Sequence, residues 1–234
     1  MRRVGFGLVV LTTVFASASA CQRRPDVPTV TAKGSAGAED VPDLTIRQVN
    51  LKAGETLLVS CNDEGSDAEV FWGDASLHRD VASQGALVST TIFTLYSATG
   101  GTSDIVASHA SGGDLTINVY AVTNLAPSAL DKMAAAQGIG TSPSSGATGV
   151  TSHANEFLWG TIGHFAAGAT GTWMDGFTSG GQFKDSGGIS GVEDGYKTVS
   201  STGAYTAAKS GIDKDTWTAV IATYAISAGR DPLR

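Results

Sequence analysis

The sequence predicts an all-β protein, folded as an antiparallel β-sandwich of two sheets with about 10–12 strands. Short runs of apolar and β-branched residues recur along the chain, with turn residues between them. Glycine is abundant, at 30 of 234 residues, and glycine is typical of turns. No long stretch has the apolar period of an amphipathic helix. These observations favour short antiparallel strands over a helical or mixed architecture.

The first 20 residues have the pattern of an export signal. Arg2 and Arg3 form a positive start, and residues 4–15 are apolar but too few to span a bilayer as a mature helix. Small residues over 16–20 then precede Cys21, as they do at a cleavage site. We therefore expect residues 1–20 to be a signal peptide and the protein to be exported.

Two alternatives remain for Cys21. Residues 18–21 resemble a bacterial lipobox, although Ala18 stands where leucine is usual, and they also suit ordinary cleavage. We favour lipidation of Cys21, which would place the protein at the outer membrane or cell surface; otherwise it is secreted. With lipid on Cys21, Cys61 is a small buried hydrophobe. With a thiol on Cys21, a Cys21–Cys61 disulfide becomes possible.

The mature chain is expected to contain one folded domain. Residues 21–43 are polar and rich in proline and glycine, which is typical of a flexible tether. A single β-sandwich is expected over 44–228, with a short tail over 229–234. The net charge is −7 and the signal segment removes two arginines, so no basic surface favours nucleic acid as a partner. Contact with a membrane is expected only through a lipid on Cys21.

Strands are predicted in chain order from apolar runs and the turns between them. The candidates are 44–51, 56–61, 70–72, 77–83, 89–99, 103–110, 115–122, 156–165, 172–177, 196–207 and 216–227. The run 115–122 has an apolar side and a second side that mixes polar and apolar residues, and it predicts a central strand; 216–227 is also expected to be central. Glycine pairs suggest that 89–122 forms an antiparallel meander. Residues 129–137 are ambiguous, because their alanines favour a helix, and we favour an irregular segment or a short strand.

The order of several core and turn elements resembles a known domain. The apolar strand 115–122 is followed by a Leu-Asp turn at 130–131, a loop rich in small residues at 140–149 and a strand that opens with Asn-Glu at 155–158. A Gly-Phe element at 176–177, a Glu-Asp pair at 193–194 and a final strand with tryptophan at 217–225 complete the series. In this the chain resembles an uncharacterised jelly-roll-type β-sandwich domain of secreted bacterial proteins, sometimes found beside carbohydrate-active modules. The resemblance implies a jelly-roll-like fold. It implies no catalytic residue, because its motifs are core and turn residues.

An acidic loop follows the second predicted strand. Asp63, Glu64 and Asp67 are candidate ligands for calcium, which binds several oxygen atoms at once. The spacing is not that of an EF-hand, and we favour a solvated acidic turn. No other cofactor is expected. The four histidines, at 78, 109, 153 and 164, have no spacing typical of a metal site.

The sequence offers no clear catalytic motif. Glu193 and Asp194 are a carboxylate pair, but neighbours on one strand face opposite sides and cannot both line one cleft. We favour a turn role for them. No Gly-x-Ser-x-Gly elbow is present to anchor a hydrolase triad.

Aromatic side chains at loop edges are the candidate ligand contacts. Trp72 lies beside Asp74, and Trp173 lies beside Asp175. Sandwich modules that bind sugars present flat rings to the sugar and polar groups to its hydroxyls. The sequence therefore predicts a non-catalytic surface module that binds a glycan or a surface protein. The alternatives are a structural subunit of a surface layer, filament or adhesin that self-associates through a sheet edge, and a glycan hydrolase or lyase.

Overall fold

The computed structural model describes residues 27–65, 67–110, 112–165, 171–185, 187–188 and 190–228. The predicted signal peptide, Cys21 and the tail 229–234 lie outside these residues. The described residues contain 16 β-strands. None of them belongs to a helix long and apolar enough to cross a membrane.

Most strands have ten residues or fewer, and glycine or polar turns separate most of them. In the first half of the chain they are β1 (Val30–Ala38), β2 (Asp43–Leu51), β3 (Thr56–Asp63), β4 (Glu69–Trp72), β5 (Ala75–Ser76), β6 (His78–Gln84), β7 (Ser89–Leu95) and β8 (Gly101–Ser108). In the second half they are β9 (Leu115–Val122), β10 (Leu125–Gly140), β11 (Asn155–His164), β12 (Thr172–Trp173), β13 (Thr178–Lys184), β14 (Gly191–Ser200), β15 (Lys209–Ser210) and β16 (Asp215–Ile226).

These strands form an antiparallel β-sandwich, which confirms the predicted fold class. The middle sheet has the order β1-β9-β3-β7-β6, the first outer sheet β2-β8-β4-β5, and the second outer sheet β10-β16-β11-β14-β13. A two-stranded ladder, β12-β15, completes the described sheets. The described residues thus form one main sheet more than the two expected, and more strands than the predicted number.

Strand β9 shows why the middle sheet is buried on both faces. Its residues Leu115, Ile117 and Val119 pack in one core with strands of the first outer sheet. Tyr120 and Val122 point the other way and pack with strands of the second outer sheet. Every residue of β9 is buried, as its two apolar sides predicted. Strand β16 lies between β10 and β11, so it is central, as predicted.

The layer between the middle and second outer sheets also contains polar side chains. Ser60 on β3 shares a hydrogen bond of 2.8 Å with Thr161 on β11, and Trp159 donates to Ser60 at 3.0 Å. Asn118 on β9 donates to Asp194 on β14 at 2.7 Å. Buried polar groups need such partners, and these bonds fix how the two sheets face each other.

The tether prediction is wrong for part of 21–43. Val30–Ala38 is strand β1, which pairs antiparallel with β9 along the edge of the middle sheet. Its polar, glycine-containing sequence gave no apolar pattern, but an edge strand is held by backbone hydrogen bonds and can carry polar side chains. The folded unit therefore begins before residue 44.

Two other expectations differ from the structure. The runs from 89 to 122 do not form a meander, because β7 and β9 belong to the middle sheet and β8 to the first outer sheet. Residues 129–137 lie within the 16-residue strand β10, which pairs with β16 as far as Gly140. Long-range pairing there outweighs the helix propensity of the alanines.

Candidate functional site

Trp173, Phe177 and Ala207 pack on the outer face of the second outer sheet, and we call this group the aromatic cover. Gly160 on β11 and Gly195 on β14 are direct cross-strand partners. A Cβ atom added to Gly195 would lie 2.7 Å from the ring of Trp173, and one added to Gly160 would overlap Ala207. The absence of two side chains therefore lets Trp173 and Ala207 pack directly on the sheet.

A cleft of about 310 Å³ opens beside this cover. Its lining combines aromatic, small polar and charged side chains: Gly171, Thr172, Trp173, Phe177, Ser179, Gln182, Glu193 and Lys209. The rings of Trp173 and Phe177 stack at 5.7 Å and 23°. Ser179 and Gln182 are exposed on the edge strand β13. The cleft thus has a flat apolar wall and a polar rim.

Buried charges form the base of the cleft. The Nζ atom of Lys209 forms a salt bridge with Oε2 of Glu193 and lies 5.8 Å from the ring centroid of Trp173. Nε2 of His164 lies 3.4 Å from Oε1 of Glu193, and its Nδ1 lies 3.5 Å from Oδ2 of Asp215. Neither histidine nitrogen has a hydrogen bond of normal geometry, although each lies close to a carboxylate oxygen.

The charged side chains at the base of the cleft stabilise one another. Burial alone would raise the pKa of Glu193, but His164 and Lys209 outweigh it and lower that pKa. Burial alone would lower the pKa of His164, but Asp215 and Glu193 outweigh it and raise that pKa. The arrangement favours an ionised Glu193 held against two cations. Such a carboxylate accepts hydrogen bonds and is a poor proton donor.

Of the four residues predicted for a ligand face, only Trp173 lines the cleft. Asp175 follows it in a turn with φ of 53°, and its backbone carbonyl accepts a hydrogen bond from Lys197. Trp72 is only 8% exposed, packs between the middle and first outer sheets, and donates to the carbonyl of Val49 at 3.2 Å. This burial rules out the predicted ligand face at Trp72, because its ring is needed in the core. Asp74 is exposed in the turn that links β4 to β5, away from the cleft lining.

Glu193 and Asp194 lie in the middle of β14, so the turn role expected for them is wrong. Their side chains face opposite sides, as strand geometry requires. Glu193 faces the cleft, and Asp194 points into the layer between the sheets, where it meets Asn118, Tyr120 and Thr161. Lys209 and His164 were missed as site residues, since their approach to Glu193 depends on long-range pairing.

The predicted metal ligands are only partly brought together. Asp63 and Asp67 lie close to each other and to His109, with their possible ligand atoms within 4.8 Å. Glu64 is outside that group, and its Oε2 accepts the backbone N–H of Asp114 at 3.4 Å. The histidine was not predicted, because no second histidine or cysteine stands at metal-site spacing from it.

Comparison with known proteins gives no match: no family model, no curated protein and no solved structure is similar to this chain. The function is therefore argued from the cleft at Trp173 and from the chemistry of its side chains.

Cys61 is a fully buried free thiol in the core beside the first outer sheet. Burial raises the pKa of this thiol well above its ordinary value. A buried, protonated thiol is a weak nucleophile, so Cys61 acts as a small core residue.

Proposed function

We propose that the protein is an exported, non-catalytic module that binds a glycan in the cleft at Trp173. The main support is the combination of a partly exposed indole ring with hydrogen-bonding groups around it. Sugar rings have apolar faces that pack on aromatic rings and hydroxyl groups that need donors and acceptors. The volume of about 310 Å³ is at the small end of ligand sites and fits one or two sugar residues.

The polar groups of the cleft suit hydroxyl recognition. Glu193 supplies carboxylate acceptors, Lys209 supplies ammonium donors, and Gln182 supplies both. Gln182 and Glu193 are direct partners across β13 and β14, so their side chains share one face of the sheet. The Glu193–Lys209 ion pair is buried and therefore preorganised, which lowers the entropic cost of binding.

Two features favour binding over catalysis. Glycoside hydrolysis uses two carboxyl groups across a cleft, one of which must donate a proton. Glu193 is the one carboxylate among the described residues that line the cleft, and its pKa is lowered by His164 and Lys209. Asp194 faces the opposite side of β14. The lipid anchor or free secretion expected for Cys21 would place such a module at the cell surface or outside the cell.

The test is a titration of the mature protein against a panel of soluble polysaccharides and oligosaccharides. Trp173→Ala should weaken binding about tenfold, since a stacked ring is worth roughly 1 kcal/mol or more. Trp217→Ala is the matched control, because Trp217 is also partly exposed on a strand but lies outside the cleft. Failure of the wild-type protein to bind any glycan, or an equal loss in both variants, would refute the proposal.

A second candidate function, a self-associating structural subunit, is favoured by strand β10. This strand is 16 residues long and lies at an edge of its sheet. It exposes Met133 and Ile139, and Leu87 is exposed beside it in a groove that also contains Ile139. A long edge strand with exposed apolar side chains is suited to pairing with a second copy of the chain.

A further inference from the structure

A second cluster of ionisable side chains lies where β3 and β8 end. Asp63 is the last residue of β3, His109 directly follows β8, and Asp67 lies in the connection between β3 and β4. One carboxylate oxygen of each aspartate and one ring nitrogen of the histidine lie within 4.8 Å of one another. The cluster shares no residue with the lining of the Trp173 cleft.

The hydrogen bonding of Asp63 is incomplete. Its side chain belongs to a residue only 1% exposed, and neither carboxylate oxygen has a hydrogen-bond partner. Burial raises the pKa of Asp63 to about 6, and the backbone N–H of Gly65 opposes that rise without making a hydrogen bond of normal geometry. Leaving a buried carboxylate without partners is unfavourable, because it loses its hydration and gains no hydrogen bond in return. A cation bound to those oxygens would remove that cost.

The ring of His109 is oriented as a metal ligand would be. The residue is 3% exposed, and Nε2 lies 2.9 Å from the carbonyl oxygen of Val41. A carbonyl oxygen only accepts hydrogen bonds, so Nε2 carries the proton and Nδ1 of the neutral ring keeps its lone pair. Nδ1 has no hydrogen-bond partner, so with Nε2 engaged it is the ring nitrogen available to bind a metal ion. A backbone carbonyl holding the distal N–H is the usual support of a metal-bound histidine.

The backbone around His109 reinforces this orientation. Its own N–H donates to the carbonyl of Pro42 at 3.0 Å. Gly113 lies against the ring, since an added Cβ there would come within 3.3 Å of Cε1. The histidine is therefore held by the chain on three sides, which fits a preorganised ligand.

We propose that Asp63, Asp67 and His109 bind one divalent transition-metal ion, with Zn²⁺ the best match and water completing the coordination. One imidazole and two carboxylates form a donor set that zinc accepts in sites with an open position. The ligand atoms of a tetrahedral zinc ion lie about 3.4 Å apart. Binding would draw the three groups together by about an ångström, and the exposed Asp67 is the group best placed to move.

The donor set distinguishes this site from the calcium site considered for the acidic loop. Calcium takes six to eight oxygen ligands, whereas this cluster offers two carboxylates and a nitrogen. Glu64, which would have supplied further oxygens, faces Asp114 instead. An imidazole ligand favours zinc, copper, nickel or iron over calcium.

The opposing explanation is that positive charge alone compensates Asp63. Arg79 and His109 both lower its pKa, and a protonated His109 would make a buried ion pair with it. The Nη2 atom of Arg79 donates to the carbonyl of Ala68 at 2.8 Å and its guanidinium lies over Phe93. The two explanations differ in one measurable property, which is stoichiometric metal binding.

The experiment uses the purified mature protein after removal of metal with a chelator. Titration calorimetry with Zn²⁺ should give one site per chain, and Co²⁺ should give the visible absorption of a tetrahedral site with a nitrogen ligand. His109→Ala should weaken Zn²⁺ binding by about 100-fold, on the order of the upper effects seen around metal sites. His153→Ala, which removes an exposed histidine elsewhere, should leave the affinity unchanged.

Melting curves provide a second readout. Zn²⁺ should raise the Tm of the wild-type protein but not the Tm of the Asp63→Asn variant. Without metal, the Asp63→Asn variant should melt at or above the wild-type temperature, because the substitution removes a buried charge. Should His109→Ala fail to fold, Asp67→Asn at an exposed position gives the same affinity test. Absence of stoichiometric Zn²⁺ binding, tighter binding of Ca²⁺ than of Zn²⁺, or undiminished affinity in the His109 variant would overturn the proposal.

Discussion

Replacing Asp194 with asparagine tests how the buried polar layer affects stability. Asp194 is fully buried on β14. One carboxylate oxygen accepts hydrogen bonds from Asn118 at 2.7 Å and Tyr120 at 3.1 Å, and the other accepts one from Thr161 at 2.8 Å. Asparagine has the same shape and keeps an acceptor, but it cannot ionise. The substitution therefore isolates the contribution of the charge.

The magnitude follows from the pKa of this carboxyl. Burial raises the pKa of Asp194 from 3.8 to about 6, since the loss of hydration outweighs the hydrogen bonds that lower it. Between these two values the folded protein keeps a proton that the unfolded chain has released. The free energy of unfolding therefore falls as pH rises through this window. A shift of about two pKa units corresponds to about 3 kcal/mol.

Urea unfolding between pH 3.5 and 7.5, followed by tryptophan fluorescence, measures this effect. The stability advantage of the wild-type protein over Asp194→Asn should be greatest near pH 3.5 and should shrink by about 3 kcal/mol by pH 7. Other titrating groups affect both proteins equally and cancel in the difference. Asp213→Asn, at an exposed position, is the control for making the same substitution outside the buried layer. A difference for Asp194→Asn that is constant, or that grows as pH rises, would refute the reasoning.

Two further predictions concern the proposed functions. Gly195→Ala should lower glycan affinity, as Trp173→Ala does, because its Cβ would lie 2.7 Å from the Trp173 ring. The same clash should lower the Tm by a few degrees. Glycan titration and melting curves measure the two effects, and an unchanged affinity would argue against the cleft as the binding site. Ile139→Lys should suppress concentration-dependent association in sedimentation velocity, because it places a charge on the apolar β10 edge where Ile139 is 71% exposed. A wild-type protein that stays monomeric at all concentrations would exclude self-association through this edge.

The sequence predicted which strands are buried better than it predicted their partners. Runs 56–61, 115–122 and 216–227 carry apolar residues on both sides, and they are central strands in the structure. Apolar periodicity reports burial, but it does not report which strands pair. Glycine pairs between neighbouring runs suggested hairpins, yet β8 leaves the middle sheet to pair with β2 and β4.

The candidate sites were predictable only in part, for the same reason. Trp173 could be chosen because it stands beside a turn and carries a large ring. Lys209 and His164 could not be chosen from the sequence. They come close to Glu193 only because β11 pairs with β14 and β12 pairs with β15. At the proposed metal site, Asp63 and Asp67 come from an evident acidic loop. His109 arrives from a different sheet and has no sequence spacing that marks it.

Strand glycines are the one sequence signal that could have located these layers. Gly160 and Gly163 lie inside β11, within the predicted strand 156–165, and Gly195 lies inside β14. A Cβ on Gly163 would overlap Asn62 and Thr90 of the middle sheet, whereas Gly160 and Gly195 leave room for the aromatic cover on the other face. A glycine inside an otherwise apolar strand marks a close approach of another layer. Because successive residues of a strand face opposite sides, Gly163 lies on the inner face, and Gly160 and its partner Gly195 lie on the outer face. The chain thus encodes both the packing of the sandwich and the place of its cleft in residues that have no side chain.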